Sequence, residues 1–297
     1  MMSVHAPQTT ALTNGKLTKG LPFTKYLEIE AEHASGLKHM LVSPLHYRHA
    51  RDGTVNADKA ALRMGRAVHT SILEPDRFAL EYAVYTESKS KGEGSRKAWD
   101  AFKAANANRT ILDEAEYTKA LAIRNAVRRN PIAADLLAKG DSEVTATWTH
   151  RSTGLPCKAR YDWLGPRGIV DVKTTRQIDP QAFSRDVARL AYNVQFGIYA
   201  EGHREITGHA VPFWAIVVES SAPFDSVVYS VPASLTDSGW RVAWGLLDRV
   251  AECRRDDRWP GVAGDAALEL TLPEWANGSA KEQGLELELE GGELVSF

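Results

Sequence analysis

The chain has 297 residues, of which 43% are hydrophobic and 25% charged, and its net charge is −2. This length and hydrophobic content are enough to build one large domain around a single core. Its two cysteines, Cys157 and Cys253, exclude a disulfide framework and a four-cysteine iron–sulfur cluster, and they indicate a reducing compartment. No stretch reaches the roughly 20 apolar residues that span a membrane, and the first residues lack an apolar signal core, so we expect a cytoplasmic protein.

The N-terminal part of the chain is polar and then becomes helical. Residues 1–20 show no periodicity and are predicted to form a flexible arm ahead of one domain over residues 21–276. Apolar spacing from Ser35 to Tyr47 indicates one amphipathic helix. The histidines in and around this helix match no zinc-binding pattern, so we interpret them as helix-surface residues: His33, His39, His46 and His49.

A further helix is predicted to begin near Asp58 and to include His69. A single histidine on a helix is more often a capped or solvated residue than a ligand, and the helix alone does not decide between these roles. The densest basic run of the chain follows, with Lys89, Lys91, Arg96 and Lys97. Because serine and glycine interrupt this run, it is predicted to be a loop that either contacts a polyanion or is merely solvated.

Three consecutive strands are predicted in the middle of the chain. Residues 143–149 alternate between apolar and polar, residues 157–164 are typical of the returning strand, and apolar residues 168–170 begin the third. Turns rich in glycine or proline separate the strands, which predicts an antiparallel meander. Each strand carries an acidic residue, and these are Glu143, Asp162 and Asp171.

The third strand contains Asp171-Val172-Lys173, the most informative stretch of the chain. Alternate side chains of a strand share a face, so Asp171 and Lys173 project together while Val170 and Val172 face a core. Such a pair is by itself an ordinary salt bridge. If Asp162 on the neighbouring strand joins it, the set becomes a site for a hard cation beside a positive charge, which phosphodiester hydrolysis requires. Register alone does not guarantee that the two aspartates meet.

Two helices are predicted after the meander. Asp179 as N-cap and Pro180 at the first helical position begin the first of them. The second, over residues 192–201, places Gln195 and Tyr199 one turn apart on one face. These two side chains either hydrogen-bond a phosphate or the lysine, or they form the polar edge of an ordinary amphipathic helix.

The end of the chain is acidic. Residues 261–297 contain eight acidic residues and one lysine, which leaves the preceding residues with a net positive charge. A basic body with an acidic tail is compatible with a nucleic-acid partner. In the predicted tail, residues 277–297, Leu and Glu alternate from Leu285 onward, which indicates an edge strand or a segment that folds on a partner.

The order of these motifs resembles the PD-(D/E)XK nuclease superfamily and, within it, the phage exodeoxyribonuclease VIII (RecE-like) nuclease domain. The resemblance runs from about residue 27 to about residue 275 and lacks a literal Pro-Asp pair at Asp162. Its motifs are, in chain order, Ser35-Gly-Leu-Lys38, Ser43-Pro44, Gly65-Arg-Ala-Val-His69, Glu143, Asp162, Asp171-Val-Lys173, Gln195-x-x-x-Tyr199 and Trp259-Pro260-Gly261.

The resemblance implies an α/β restriction-endonuclease-like core, in which a central mixed sheet is flanked by helices. It also implies a role for each candidate site residue. These are Asp162, Asp171, the Val172 carbonyl and His69 at a Mg²⁺ or Mn²⁺ ion, Lys173 as the catalytic lysine, Glu143 as the acid of the first strand, and Gln195 and Tyr199 as support for the lysine and DNA.

The activity that the resemblance implies is exonucleolytic. Linear double-stranded DNA would be digested from the 5′ end, with a water activated by the metal and positioned by Lys173 attacking phosphorus. A single-strand annealing protein, a ring-shaped oligomer, and a phage or prophage origin within a bacterial host cell are implied as well. Two alternatives remain open: a structure-specific or nicking endonuclease of the same fold, and a non-catalytic DNA-binding or assembly protein in which Asp171 and Lys173 form only a salt bridge.

Overall fold

A computed structural model describes residues 14–53, 60–87 and 92–272, together with two short C-terminal strands, β9 (Glu286–Glu288) and β10 (Leu294–Ser296). The chain divides into two compact units, residues 1–259 and 260–297. In the second unit β9 and β10 pair antiparallel with each other, so part of the acidic tail forms strands. The expected boundary at residue 276 lies outside the described residues.

The first unit contains the candidate site residues. Its strands are β1 (Gly15–Thr18), β2 (Tyr82–Tyr85), β3 (Thr110–Asp113), β4 (Asp141–Thr149), β5 (Pro156–Gly165), β6 (Gly168–Thr175), β7 (Phe213–Glu219) and β8 (Ser226–Val231). Its helices, as far as the structure describes the chain, are α1 (Phe23–Glu28), α2 (Ala34–Met40), α3 (Pro44–Asp52), α4 (Ala60–Leu73), α5 (Pro75–Glu81), α6 (Glu93–Ala105), α7 (Glu114–Arg129), α8 (Pro131–Leu136), α9 (Pro180–Arg189), α10 (Tyr192–Thr207) and α11 (Ala233–Asp256).

The central sheet is mixed, as predicted. Its strand order is β1-β4-β5-β6-β7-β8; β6 and β7 are parallel and the other neighbours are antiparallel. Strands β4, β5 and β6 follow one another in sequence and in space, which confirms the predicted meander. Strands β2 and β3 form a separate parallel pair.

Each face of the sheet packs against its own helices. On one face a first core cluster joins the strands to α2, α3, α10 and α11, with Leu37 and Ile198 among its buried residues. On the other face a second core cluster joins the strands to α4, α7 and α8, with Val68 among its buried residues. Val170 and Val172 are fully buried in the second cluster, which confirms that they face a core.

Two glycines bring α10 and α11 together almost backbone to backbone. A Cβ atom at Gly239 would lie 1.8 Å from the carbonyl oxygen of Asn193, and one at Gly197 would lie 2.3 Å from the backbone nitrogen of Trp240. No side chain fits at such distances, so both positions require glycine. Helix α10 is therefore held between α11 and the sheet.

The prediction of a flexible arm over residues 1–20 is wrong for the last part of that segment. Residues 15–18 form β1, which pairs antiparallel with β4 at the edge of the sheet. A Cβ atom at Gly15 would lie 2.3 Å from the carbonyl oxygen of Thr147, so glycine allows this close pairing. A strand of four residues is too short for a hydrophobic period to reveal it. Residues 1–13 lie outside the described part of the chain.

The prediction of a single helix from Ser35 to Tyr47 is also wrong, because two helices, α2 and α3, cover this region. The side chain of Ser43 accepts the backbone N–H of His46 and caps α3, and Pro44 occupies the first helical position. Since proline disfavours a helical conformation in the residue before it, the first helix ends ahead of Ser43.

The predicted basic loop is partly helical. Arg96 and Lys97 lie in α6, because the apolar residues of this helix, including Trp99, pack against β2. Lys89 and Lys91 lie outside the described residues.

The helices after the meander begin as predicted. Asp179 accepts the backbone N–H of Ala182 and caps α9, with Pro180 at the first position. Helix α10 carries Gln195 and Tyr199. Among the helices that the structure describes, none is long and apolar enough to cross a membrane.

Candidate active site

The candidate site forms where β5 and β6 move apart. Their ladder has three residue pairs, and Trp163↔Val170 is the pair next to the site. Beyond it, the backbone N–H of Val172 donates to Oδ2 of Asp162 at 2.7 Å. The carboxylate satisfies a backbone donor that the ladder no longer pairs. Because N–H and C=O of a strand residue point to the same side, the Val172 carbonyl faces the same gap.

Strand β4 departs from regular geometry at the same level. The residue pairs on either side of Glu143 place it opposite Asp162. Glu143 has a φ of 55°, a left-handed conformation that costs a residue other than glycine on the order of 1 kcal/mol. On β5, Tyr161 belongs to the first core cluster whereas Trp163 packs against the second, so the alternation of faces breaks at Asp162. Both acidic residues thus stand at irregular points of their strands.

His69, Glu143 and Asp162 form what we call the carboxylate cluster. Each offers one ligand atom, and these atoms lie within 4.8 Å of one another. Nδ1 of His69 is 3.6 Å from Oδ2 of Asp162. Two carboxylates and an imidazole suit a divalent cation such as Mg²⁺ or Mn²⁺ that keeps further positions for water and phosphate.

The protonation of the carboxylate cluster also fits a cation. Burial and the nearby Asp171 carboxylate raise the pKa of Asp162 to about 7. Burial and Asp162 raise the pKa of Glu143 as well. Burial and the Lys173 ammonium lower the pKa of His69, which keeps its imidazole neutral and able to ligate. A bound cation would relieve the repulsion between these carboxylates.

Asp171, Lys173 and Gln195 form what we call the lysine cluster. Oδ2 of Asp171 is 2.5 Å from Nζ of Lys173, and Oδ1 accepts a hydrogen bond from Nε2 of Gln195 at 3.0 Å. The Asp171 side chain is completely buried and that of Lys173 is 13% exposed. Burial alone would lower the pKa of Lys173, but Asp171 and Asp162 outweigh it and raise this pKa, so the ammonium persists. Gln195 therefore holds the aspartate rather than the lysine.

Tyr199 lies beside the lysine cluster. Its ring meets that of Tyr161 edge to face at 5.4 Å, and the Tyr161 hydroxyl donates to the Tyr199 carbonyl oxygen at 3.1 Å. Burial raises the pKa of Tyr199 well above its usual value, and contact with Gln195 partly offsets this. Tyr199 stays a neutral residue that supports Gln195, one turn away on α10.

Arg160 belongs to the site but is absent from the sequence-based prediction. Its Nε donates to Oε2 of Glu143, and its Nη1 donates to the Leu21 carbonyl oxygen at 2.9 Å. Arg160 precedes Asp162 by two residues on β5, so the alternation rule could have placed both on one face. The arginine fixes the Glu143 carboxylate and ties the segment before α1 to the site.

Lys38 and Tyr192 also lie at the site, although the sequence-based prediction assigns neither residue a role there. Nζ of Lys38 lies 5.0 Å from the centroid of the Tyr192 ring, and Nζ of Lys173 lies 4.8 Å from it. These residues come from α2, β6 and α10, and no local spacing in the sequence relates them.

The chain matches, over residues 33–270, the family described as "PDDEXK-like domain of unknown function (DUF3799)". This match covers most of the chain, and the protein belongs to that family. Its fold and the PD-(D/E)XK superfamily are therefore as predicted.

The solved structures include one of similar fold, a protein named "Putative exonuclease" from Eubacterium rectale. The two chains share 16% sequence identity with a TM-score of 0.52, and the similarity covers 80% of this chain and 89% of the other. No curated protein sequence matches the chain.

Proposed function

We propose that this protein is a divalent-metal-dependent deoxyribonuclease that acts as an exonuclease on linear double-stranded DNA. The observation that carries the proposal is the convergence of the carboxylate cluster and the lysine cluster at the gap between β5 and β6. Membership of the PDDEXK-like family supports it, because the sequence motifs of this chain resemble those of the PD-(D/E)XK nucleases.

Each part of the site has a role in hydrolysis. His69, Glu143 and Asp162 would hold the metal, with the carbonyl of Val172 facing the same gap. A bound divalent cation would supply Lewis-acid stabilisation of the phosphate and lower the pKa of the attacking water. Gln195 holds Asp171, and Asp171 holds Lys173 in place. The Lys173 ammonium would orient the water and stabilise the negative charge that develops on the phosphate.

The exonuclease assignment rests on two resemblances. The protein from Eubacterium rectale is named for that activity, and the motif order resembles the RecE-like nuclease domain. From this resemblance we propose digestion of one strand from its 5′ end, a role in phage-type recombination with a single-strand annealing protein, and assembly into a ring.

The test uses linear duplex DNA labelled separately at the 5′ end and at the 3′ end of one strand, with Mg²⁺, with Mn²⁺ and with EDTA. Early release of short 5′-labelled products in either metal supports the proposal, and early release of 3′-labelled products reverses the polarity. A closed circular duplex serves as the control for end dependence. If the protein cuts the closed circle, it is a structure-specific or nicking endonuclease and not an exonuclease.

DNA binding without cleavage in any divalent metal would leave a non-catalytic DNA-binding or assembly protein. In that case the short Asp171–Lys173 contact would be only a structural salt bridge. The Lys173→Met variant shows in the same assay that any cleavage belongs to this site rather than to a contaminating nuclease.

A further inference from the structure

Lys38 is a half-buried lysine on α2, near the lysine cluster. Its Nζ lies over the Tyr192 ring at 5.0 Å, and within the described part of the chain it has neither an ion pair nor a hydrogen bond. Burial and the Lys173 ammonium lower the pKa of Lys38 to about 8. Among the described residues, the Lys38 ammonium therefore has an aromatic ring and a distant carboxylate but no hydrogen-bond acceptor.

Lys158 shows how this protein treats a buried lysine that has a structural role. Its Nζ also lies over a tyrosine ring, that of Tyr26, at 4.5 Å. In addition it donates to the carbonyl oxygens of Tyr26 and Ile29 at 2.9 and 2.7 Å. Lys38 has the ring but not the acceptors, so its hydrogen-bonding capacity is left for a ligand.

Lys38 and Lys173 share one aromatic platform. Each ammonium nitrogen lies within about 5 Å of the Tyr192 ring centroid, so the two cations are neighbours. Asp171 forms an ion pair with Lys173, whereas at Lys38 the same carboxylate acts only from a distance, raising its pKa, and no ion pair joins Asp171 to Lys38 among the described residues. Tyr192 is the first residue of α10 and follows Ala191, whose left-handed backbone (φ 51°) turns the chain into this helix. An anion bound at Lys38 would lie directly beside the candidate reaction site.

We propose that Lys38 binds a phosphate of the nucleic-acid strand next to the phosphate that Lys173 faces, with both ammonium groups against the Tyr192 ring. This inference rests on the proposed function, since it names how the substrate strand is held at that site. The strand phosphate supplies the acceptors that Lys38 lacks, and it removes the repulsion between the two lysines. Lys38 is thus a substrate-binding residue, distinct from the residues that would hold the metal.

The test compares Lys38→Met, which keeps the aliphatic stem over Tyr192 and removes the charge, with Lys38→Arg and the wild type. A phosphate contact contributes about one unit to the slope of log Kd against log salt concentration for duplex DNA. We measure DNA binding in EDTA by fluorescence anisotropy across a range of salt concentrations, so that cleavage plays no part. Lys38→Met is expected to lose about one unit of slope and to bind roughly tenfold more weakly, whereas Lys38→Arg keeps the slope.

The matched control is Lys103→Met, the same change at a more exposed lysine that pairs with Asp100 at 2.9 Å on α6, and it should keep the wild-type slope. In Mg²⁺, Lys38→Met should raise the KM for DNA roughly tenfold with a smaller change in kcat. If the Met variant does not fold, Lys38→Gln replaces it in both measurements.

The outcomes separate this inference from the proposed function. An unchanged salt slope in Lys38→Met, with normal cleavage by the wild type, overturns the phosphate contact and leaves the nuclease intact. A lost unit of slope in a protein that cleaves no DNA keeps the contact and removes the nuclease. A wild type that does not bind DNA at all removes both.

Discussion

The two halves of the candidate site differ in how their charge is balanced. In the lysine cluster, Asp171 is matched by the Lys173 ammonium and by the Gln195 amide. In the carboxylate cluster, Asp162 faces a neutral imidazole and a backbone N–H, and its pKa rises to about 7 because of burial and the Asp171 carboxylate. One half is complete by itself, and the other gains from an added cation.

This difference explains how neighbouring acidic residues can take different roles. We propose that Asp171, which already has a cationic and an amide partner, positions the lysine, whereas Asp162, which is crowded and has no Lys or Arg ion pair, would serve as a ligand. The resemblance implies Asp171 as a metal ligand, but its two oxygens are engaged by Lys173 and Gln195 in the structure. The predictions below test whether the two clusters are as distinct as their contacts indicate.

The largest effect is expected for Lys173→Met. The rate of DNA cleavage should fall by about 10²–10³-fold or more, because the ammonium that stabilises the phosphate charge is lost. DNA affinity in EDTA should fall far less than the cleavage rate, since the Lys173 side chain is only 13% exposed and is one of many cations that a DNA strand can contact. Cleavage kinetics measure the rate, and fluorescence anisotropy measures the DNA affinity. A normal digestion rate of Lys173→Met in Mg²⁺ would show that Lys173 is not the catalytic lysine.

A double variant controls for misfolding in that experiment. Lys173→Met alone leaves the Asp171 carboxylate buried without its cation, which destabilises a protein by roughly 3–5 kcal/mol. Lys173→Met combined with Asp171→Asn removes both charges, so its thermal midpoint should recover. Its cleavage should not recover, because the catalytic ammonium is still missing.

Metal affinity should separate the clusters next. Asp162→Asn is expected to weaken Mn²⁺ binding by at least about 10–100-fold, because it removes a ligand carboxylate. Asp171→Asn should have a smaller effect on this affinity, since its oxygens are held by Lys173 and Gln195. Isothermal titration calorimetry compares the two variants with the wild type. Equal losses would mean that Asp171 ligates the metal directly and that the two clusters form one centre.

A smaller effect is expected at Gln195. Gln195→Leu removes the hydrogen bond to Oδ1 of Asp171, so the lysine cluster loses one of its two supports. The cleavage rate should fall by roughly 10-fold, and Mn²⁺ affinity should change little. A loss as large as that of Lys173→Met would show that Gln195 contacts the substrate rather than acting through Asp171.

The smallest expected effect is a change in the stability of Asp162→Asn. It is a gain, whereas the preceding predictions are losses of activity or metal affinity. The pKa of Asp162 rises from 3.8 to about 7 on folding, so the folded protein binds more protons than the unfolded chain between these values. Stability without metal is therefore lost as the pH rises through this window. Asp162→Asn has no such charge and keeps the acceptor for the Val172 N–H, so it should be more stable than the wild type at pH 8.

At pH 8 we expect a higher thermal midpoint for Asp162→Asn. Each kcal/mol by which the substitution raises the free energy of unfolding should raise the midpoint by roughly 2–4 °C. Thermal melts in EDTA at pH 8 and at pH 4 measure it. The difference should shrink at pH 4, where Asp162 of the wild type is protonated, and Mg²⁺ should remove it at pH 8 by stabilising the wild type alone. A variant less stable than the wild type at both pH values would show that the Asp162 carboxylate is not strained by its surroundings.

The sequence predicts the parts of this site that depend on local periodicity. The period of two along β6 places Val170 and Val172 in a core, and the turn residues on either side of β5 predict the meander. The helical spacing of Gln195 and Tyr199 predicts that they lie on one helix, α10. These features follow from rules that act within a few residues of the chain.

The rest depends on contacts between distant segments. The left-handed backbone of Glu143 has no signal in its sequence, because glycine or asparagine is the usual residue in that conformation. The hydrogen bond from Val172 to Asp162 exists only because β5 and β6 separate. The shared platform of Lys38 and Lys173 on Tyr192 combines three elements that no spacing rule connects.

The close contact between Gly197 and Gly239 has a consequence for tolerance to mutation. Helix α10 carries Tyr192, Gln195 and Tyr199, and it has no room to retreat from the sheet because α11 touches its backbone. A single methyl group at position 239 would push the whole helix sideways and shift all three side chains at once. The spacing of the reactive groups is therefore set partly by a residue on a helix that contributes none of them.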